Sequence, residues 1–177
     1  MARHSFTAPG DGGPYTAFMR VDARRMAAAC AGFTLAELLL ALAIAAVLAA
    51  IAVPVYLGYV ERARVNQAII DIRMLNVRAR KYEDDHRAVP PDLAAIGADG
   101  MRDPWGRPYI YLKLGGPSTA GKARKNKNLV PINSEFDLYS QGKDGVSLPP
   151  LTAKPSLDDV VLANDGGFAG LASDYVQ

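Results

Sequence analysis

With a single cysteine, Cys30, this chain can close no internal disulfide. Everything that follows Cys30 must be held by packing, by assembly or by a metal. Histidine is almost as scarce. His4 sits near the start and His86 at the end of a helical pattern, where a solvated side chain is the ordinary reading. No paired acids, nucleophile with base, or glycine-rich phosphate loop stands out, so enzymatic chemistry is not expected. The EF-hand pattern is missing too. Excess charge of one sign is also lacking: twenty Lys+Arg face eighteen Asp+Glu, for a formal net charge of +2. That balance gives no general pull toward nucleic acid.

What is present is a long apolar run. Sixteen consecutive apolar residues extend from Leu38 to Val53, and Val55 and Leu57 carry the run past Pro54. A membrane-spanning helix needs roughly 20 such residues. The run is too long for the core of an ordinary secretory signal, although "AAIA" imitates a cleavage site. A plain single-span anchor would account for the length but not for Glu37, since a carboxylate at that depth costs on the order of 3 kcal/mol. The third reading puts Glu37 inside a protein bundle, where something meets its charge. Arg20, Arg24 and Arg25 precede the run, offset by Asp22 alone, which keeps the N-terminus cytoplasmic and exports the remainder.

The stretch "GFTLAELLLALAIAAVLAAIAVPVYLGYVERAR" resembles the N-terminus of type IV pilins and pseudopilins. A basic leader ends in Gly32, Phe33 follows it, and Glu37 is the fifth residue after the glycine. Pro54 is the twenty-second, followed by Tyr56 and Tyr59. The resemblance implies cleavage between Gly32 and Phe33 by a prepilin peptidase, with N-methylation of the new Phe33 amine. It also implies self-assembly, in which Glu37 of one subunit meets the Phe33 amine of its neighbour; an intrahelical contact with its own amine is the alternative. A leader of residues 1–32 takes four of the twenty basic and two of the eighteen acidic residues, leaving sixteen of each.

Beyond the span, Val65, Ile69, Ile72, Leu75, Ala79 and Tyr82 recur at three- and four-residue steps and predict one apolar helix face. The helix is expected to end near His86, because "VPP" at 89–91 cannot continue it. Pro54 lacks a backbone donor, so a kink or a locally melted stretch is expected there. Strands are expected at Tyr109–Leu114, after the turn Asp103-Pro104-Trp105-Gly106, and at "EFDLYS". Trp105 and the tyrosines read as core residues packing a sheet on the helix. The basic stretch "GGPSTAGKARKNKN" between the strands reads as a solvated loop.

"DPWGRPYIY" together with "FDLYSQGKDG" resembles the major, G-type pseudopilin of type II secretion systems. That resemblance implies a calcium site in the loop after the second strand. Asp144 would be a carboxylate ligand, backbone carbonyls near Ser140 and Gln141 would add oxygens, and Asp158 or Asp159 would close the shell; calcium takes six to eight oxygens. The sequence departs from the family after Gly145, where "VSLPPLTAKPSLDDVV" replaces a glycine-rich continuation. The alternative is a proline-braced loop with a turn at Asp144-Gly145 and Asp158 capping a short helix at 158–163.

The expected fold is α+β: one long N-terminal helix whose outer half packs on a small antiparallel sheet. The expected organisation is a cleaved leader over 1–32, a membrane and assembly helix over 33–59, an amphipathic half over 60–88 and a periplasmic domain over 89–177. The expected role is structural: a subunit of a periplasmic pseudopilus at the inner membrane. Its partners would be its own copies, the prepilin peptidase, other pseudopilins and the secretion platform, with no nucleic acid. A type IV pilus subunit, and a tethered monomeric binding domain, are the alternatives.

Overall fold

A computed structural model describes residues 32–116, 119, 121–127 and 130–176. The expected leader, apart from Gly32, lies outside the described residues. So does part of the basic stretch between the two expected strands. The chain forms two compact units, one running up to Ala46 and the other beginning at Val47.

In the first unit the described chain has no regular secondary structure from Gly32 to Thr34 and is helical from Leu35. Helix α1 comprises Leu35–His86, 52 residues. It holds the one described segment long and apolar enough to cross a bilayer, and none of that apolar window is buried. Leu38, Leu42 and Ile44 are exposed.

In the second unit α1 remains helical through Pro54. The expected local melting is absent. Proline still removes the donor that would serve the Ala50 carbonyl, but its neighbours keep helical geometry and lose only that bond. The helix ends at His86. Arg87 takes a left-handed φ of 55°, and its N–H bonds the Glu83 carbonyl at 2.7 Å.

The sheet has the order β1-β4-β5-β6, antiparallel throughout. Its strands are β1 (Ile110–Lys113), β4 (Phe136–Ser140), β5 (Val160–Ala163) and β6 (Phe168–Leu171). A two-stranded ribbon joins β2 (Lys125–Asn126) to β3 (Val130–Pro131), and a single turn of helix, α2 (Ala172–Tyr175), closes the chain. The short helix read at 158–163 is corrected: "VVLA" is the buried β5 strand. A four-residue apolar run fits either state, and two antiparallel partners decide it here.

The core explains the layering. Ala68, Ile72, Leu75 and Ala79 recur at steps of four, three and four and are almost wholly buried. They pack on Tyr109, Phe136, Leu138, Val160 and Leu162 from one face of the sheet. The alternate residues Val161 and Ala163 point the other way, into a second cluster with Ile132, Leu151 and Ala172. Strand β5 is therefore buried on both faces. Two tyrosines pack with this core and tie its parts together, one to the helix and one to the segment that follows it. Tyr109 donates to Asp71 at 2.8 Å, and Tyr111 donates to the Pro90 carbonyl at 2.8 Å. Burial raises both phenols well above their ordinary range.

Candidate functional site

Two places hold the residues singled out from the sequence, one in each unit. The first is the start of α1. Gly32 has open space around it, and Phe33 is 90% exposed. Both flank the expected cleavage bond, ahead of the first turn of α1.

Glu37 does not stand alone. The Thr34 N–H and the Thr34 hydroxyl both donate to Glu37 Oε2 at 2.9 Å. In return the Glu37 N–H donates to Thr34 Oγ1 at 3.2 Å. This reciprocal pair is a capping box, which satisfies two of the orphan donors at a helix N-terminus. Thr34 is the partner the sequence reading missed. Its signal was available in "TLAE", a threonine three residues ahead of a glutamate at a helix start. Oε1 of Glu37 makes no bond among the described residues, which leaves that oxygen free for a further donor.

The second place is the β4–β5 loop, residues 141–159. A connection of nineteen residues between adjacent strands needs internal bracing. The Asp103-Pro104-Trp105-Gly106 turn supplies one brace. Gly106 closes the turn on the Asp103 carbonyl at 2.9 Å with φ of 89°. Asp103 Oδ1 accepts the N–H groups of Trp105 and Arg107 at 3.1 and 2.8 Å. Asp103 Oδ2 accepts the Ser140 hydroxyl at 2.6 Å. Arg107 then reaches the carbonyls of Gly142 and Lys143 at 2.7 and 3.2 Å. The two sequence signatures, "DPWGRP" and "SQGKDG", are thus bonded into one unit.

The expected calcium ligands come together around this loop, where each also serves the chain itself. Ser140, expected to offer a carbonyl oxygen, donates its hydroxyl to Asp103. The Gln141 carbonyl accepts the Gly145 N–H at 3.2 Å. Asp144 Oδ1 accepts the Val146 N–H at 2.7 Å. Asp158 Oδ2 accepts the N–H groups of Lys143 and Asp144 at 2.9 and 3.0 Å, so Asp158 caps the turn rather than a helix. Asp159, wholly buried, faces Arg124 in an ion pair and accepts the Ser147 hydroxyl at 2.6 Å. A guanidinium in contact with that carboxylate repels a divalent cation, so Asp159 does not fit as a ligand. Among the described residues no three Asp, Glu, His or Cys side chains group as a metal site.

Arg124 is the second residue the sequence reading missed. It belongs to the basic stretch read as solvated, yet it is 2% exposed. Its guanidinium also bonds Ser147 Oγ and the Leu148 carbonyl, and lies 4.4 Å from the Tyr139 ring centre. Its backbone N–H donates to Asp137 at 2.7 Å. Neighbouring Lys125 is clasped by the loop on both sides, through the Pro149 carbonyl and the Leu151 N–H, each at 2.9 Å. Burial pushes the Asp159 carboxyl up to about 6, against the lowering effects of Ser147 and Arg124. Burial raises Asp137 as well.

The fold and the start of α1 define a class: single-pass, membrane-anchored proteins built on an N-terminal methylation motif. The family described as "Prokaryotic N-terminal methylation motif" matches residues 28–53. A fimbrial protein of Neisseria meningitidis is 30% identical over 148 residues, covering 82% of this chain and 86% of its own length. The type IV major pilin protein PilE of Neisseria gonorrhoeae is 30% identical over 144 residues, 78% of this chain and 86% of its own. The type II secretion system core protein G of Pseudomonas aeruginosa is 31% identical over 135 residues, 64% of this chain and 84% of its own. No solved structure matches the chain significantly. The chain belongs to the type IV pilin and pseudopilin family.

Proposed function

We propose that this chain is the repeating structural subunit of a periplasmic pseudopilus in a type II secretion system. The observation that carries this reading is the bonded unit of "DPWGRP" and "SQGKDG", in a domain with no cysteine after Cys30 to close a loop. The N-terminus is cytoplasmic, a prepilin peptidase cuts between Gly32 and Phe33, and the Phe33 amine is methylated. Subunits leave the bilayer as their apolar helices bury one another. Glu37 then meets the Phe33 amine of a neighbour, because an unpaired carboxylate among apolar helices is costly and a paired one is directional. Other pseudopilins and the inner-membrane platform complete the assembly, and no catalytic step is assigned to this chain.

A second reading is a surface pilus subunit. It is favoured by the fimbrial relatives, which match a larger share of the chain. Deletion of the chain separates the two. Loss of protein secretion with no surface fibre in the parent cell supports the pseudopilus. Loss of a visible surface fibre with secretion intact supports the pilus and overturns the first reading.

A further inference from the structure

The β4–β5 loop is crowded with oxygen acceptors, and two cations of the chain itself already occupy part of them. Arg107 enters from the turn before β1 and takes the Gly142 and Lys143 carbonyls. A Cβ on Gly145 would lie 2.5 Å from the Arg107 guanidinium, which shows how tightly the loop wraps that side chain. Arg124 enters from the opposite end and takes Asp159, Ser147 and the Leu148 carbonyl. Between them the two arginines span the loop from Gly142 to Asp159. We propose that Arg107 and Arg124 are the resident cations of this loop, standing where a calcium ion would otherwise be needed, so that the loop closes without metal.

Two features favour this over a loop that awaits an ion. The guanidinium is planar and presents several donors at once, which suits a cluster of carbonyl, hydroxyl and carboxylate oxygens. Tyr139 covers the Arg124 guanidinium with an aromatic face, an environment that favours a weakly hydrated cation over a strongly hydrated one.

The test uses the full mature chain in detergent, with calcium chloride as the probe. Calcium bound to the folded state at a hundred times its dissociation constant would raise the melting temperature by roughly 5–10 °C for a domain of this size. The expected result is no shift between chelator and millimolar calcium chloride, no binding heat in calorimetry, and substoichiometric calcium by elemental analysis. One calcium per chain, or melting that drops on chelation, overturns the proposal. Arg124→Gln and Asp159→Asn are then compared singly and together. Each single change leaves a buried group unpaired and should lower melting by roughly 10 °C. The double variant should fall by clearly less than the sum, whereas strictly additive losses would mean that the pair does not close the loop. If either single variant fails to fold, the calcium measurements on the unsubstituted chain decide alone.

Discussion

Thr34 and Glu37 satisfy one another within one chain, and this sets the terms for the proposed pairing with a neighbour. Glu37 Oε1 makes no bond among the described residues, so the cap and the proposed intersubunit pair can coexist. Thr34→Val should cost the first turn of α1 about 1 kcal/mol, read as faster amide exchange at residues 35–38 with processing unchanged. Glu37→Ala should leave cleavage intact and sharply reduce filament yield, whereas Gly32→Ala should leave the uncleaved chain accumulating in the membrane. Normal filaments from Glu37→Ala would remove the proposed charge pairing. Gly142 is a different kind of constraint. Its φ is +62°, and a Cβ there would lie 2.2 Å from the Asp158 carbonyl oxygen. Gly142→Ala combines left-handed strain with overpacking and should lower stability by about 2–4 kcal/mol, measured by thermal unfolding.

At the scale of elements, α1 turns two different faces to its surroundings in the second unit. Ile72 is fully buried in the sheet contact, whereas Ile70 is 60% exposed. Ile72→Ala should cost about 2–5 kcal/mol of domain stability, and Ile70→Ala less than about 0.5 kcal/mol, in the same melting assay. This contrast was legible in the sequence, because the apolar spacing from Val65 to Ala79 names the buried stripe. Strands β1 and β4 were legible for a similar reason: tyrosines and branched residues follow the turn at Gly106. Strands β5 and β6 were not. "VVLA" is too short to reveal a period, and "FAGL" has a glycine in its middle; tertiary partners decide both. Arg124 was hidden by composition. It stands among Lys122, Lys125 and Lys127, and only the fold distinguishes the buried cation from its neighbours. One of the acids read as a calcium ligand, Asp159, is half of an ion pair with Arg124.

For the whole molecule, the membership of the family rests on features spread along the chain, and the finer role rests on assembly. Mass spectrometry of the mature protein should find phenylalanine at the N-terminus, carrying one methyl group. An intact Met1 end in membrane-extracted protein would instead leave a simple anchor. The absence of a disulfide after Cys30 also predicts that reducing agents leave the melting curve of the mature chain unchanged.

The DPWG turn has one more effect. Trp105 is the one tryptophan of the chain, and its indole Nε1 donates to Glu61 of α1 at 3.1 Å. The chain therefore carries its own optical gauge beside the helix. Indole emission should shift to the red if that contact with Glu61 opens, and Glu61→Ala supplies the calibration. Any opening of that contact can then be followed in real time, in unlabelled protein, by light alone.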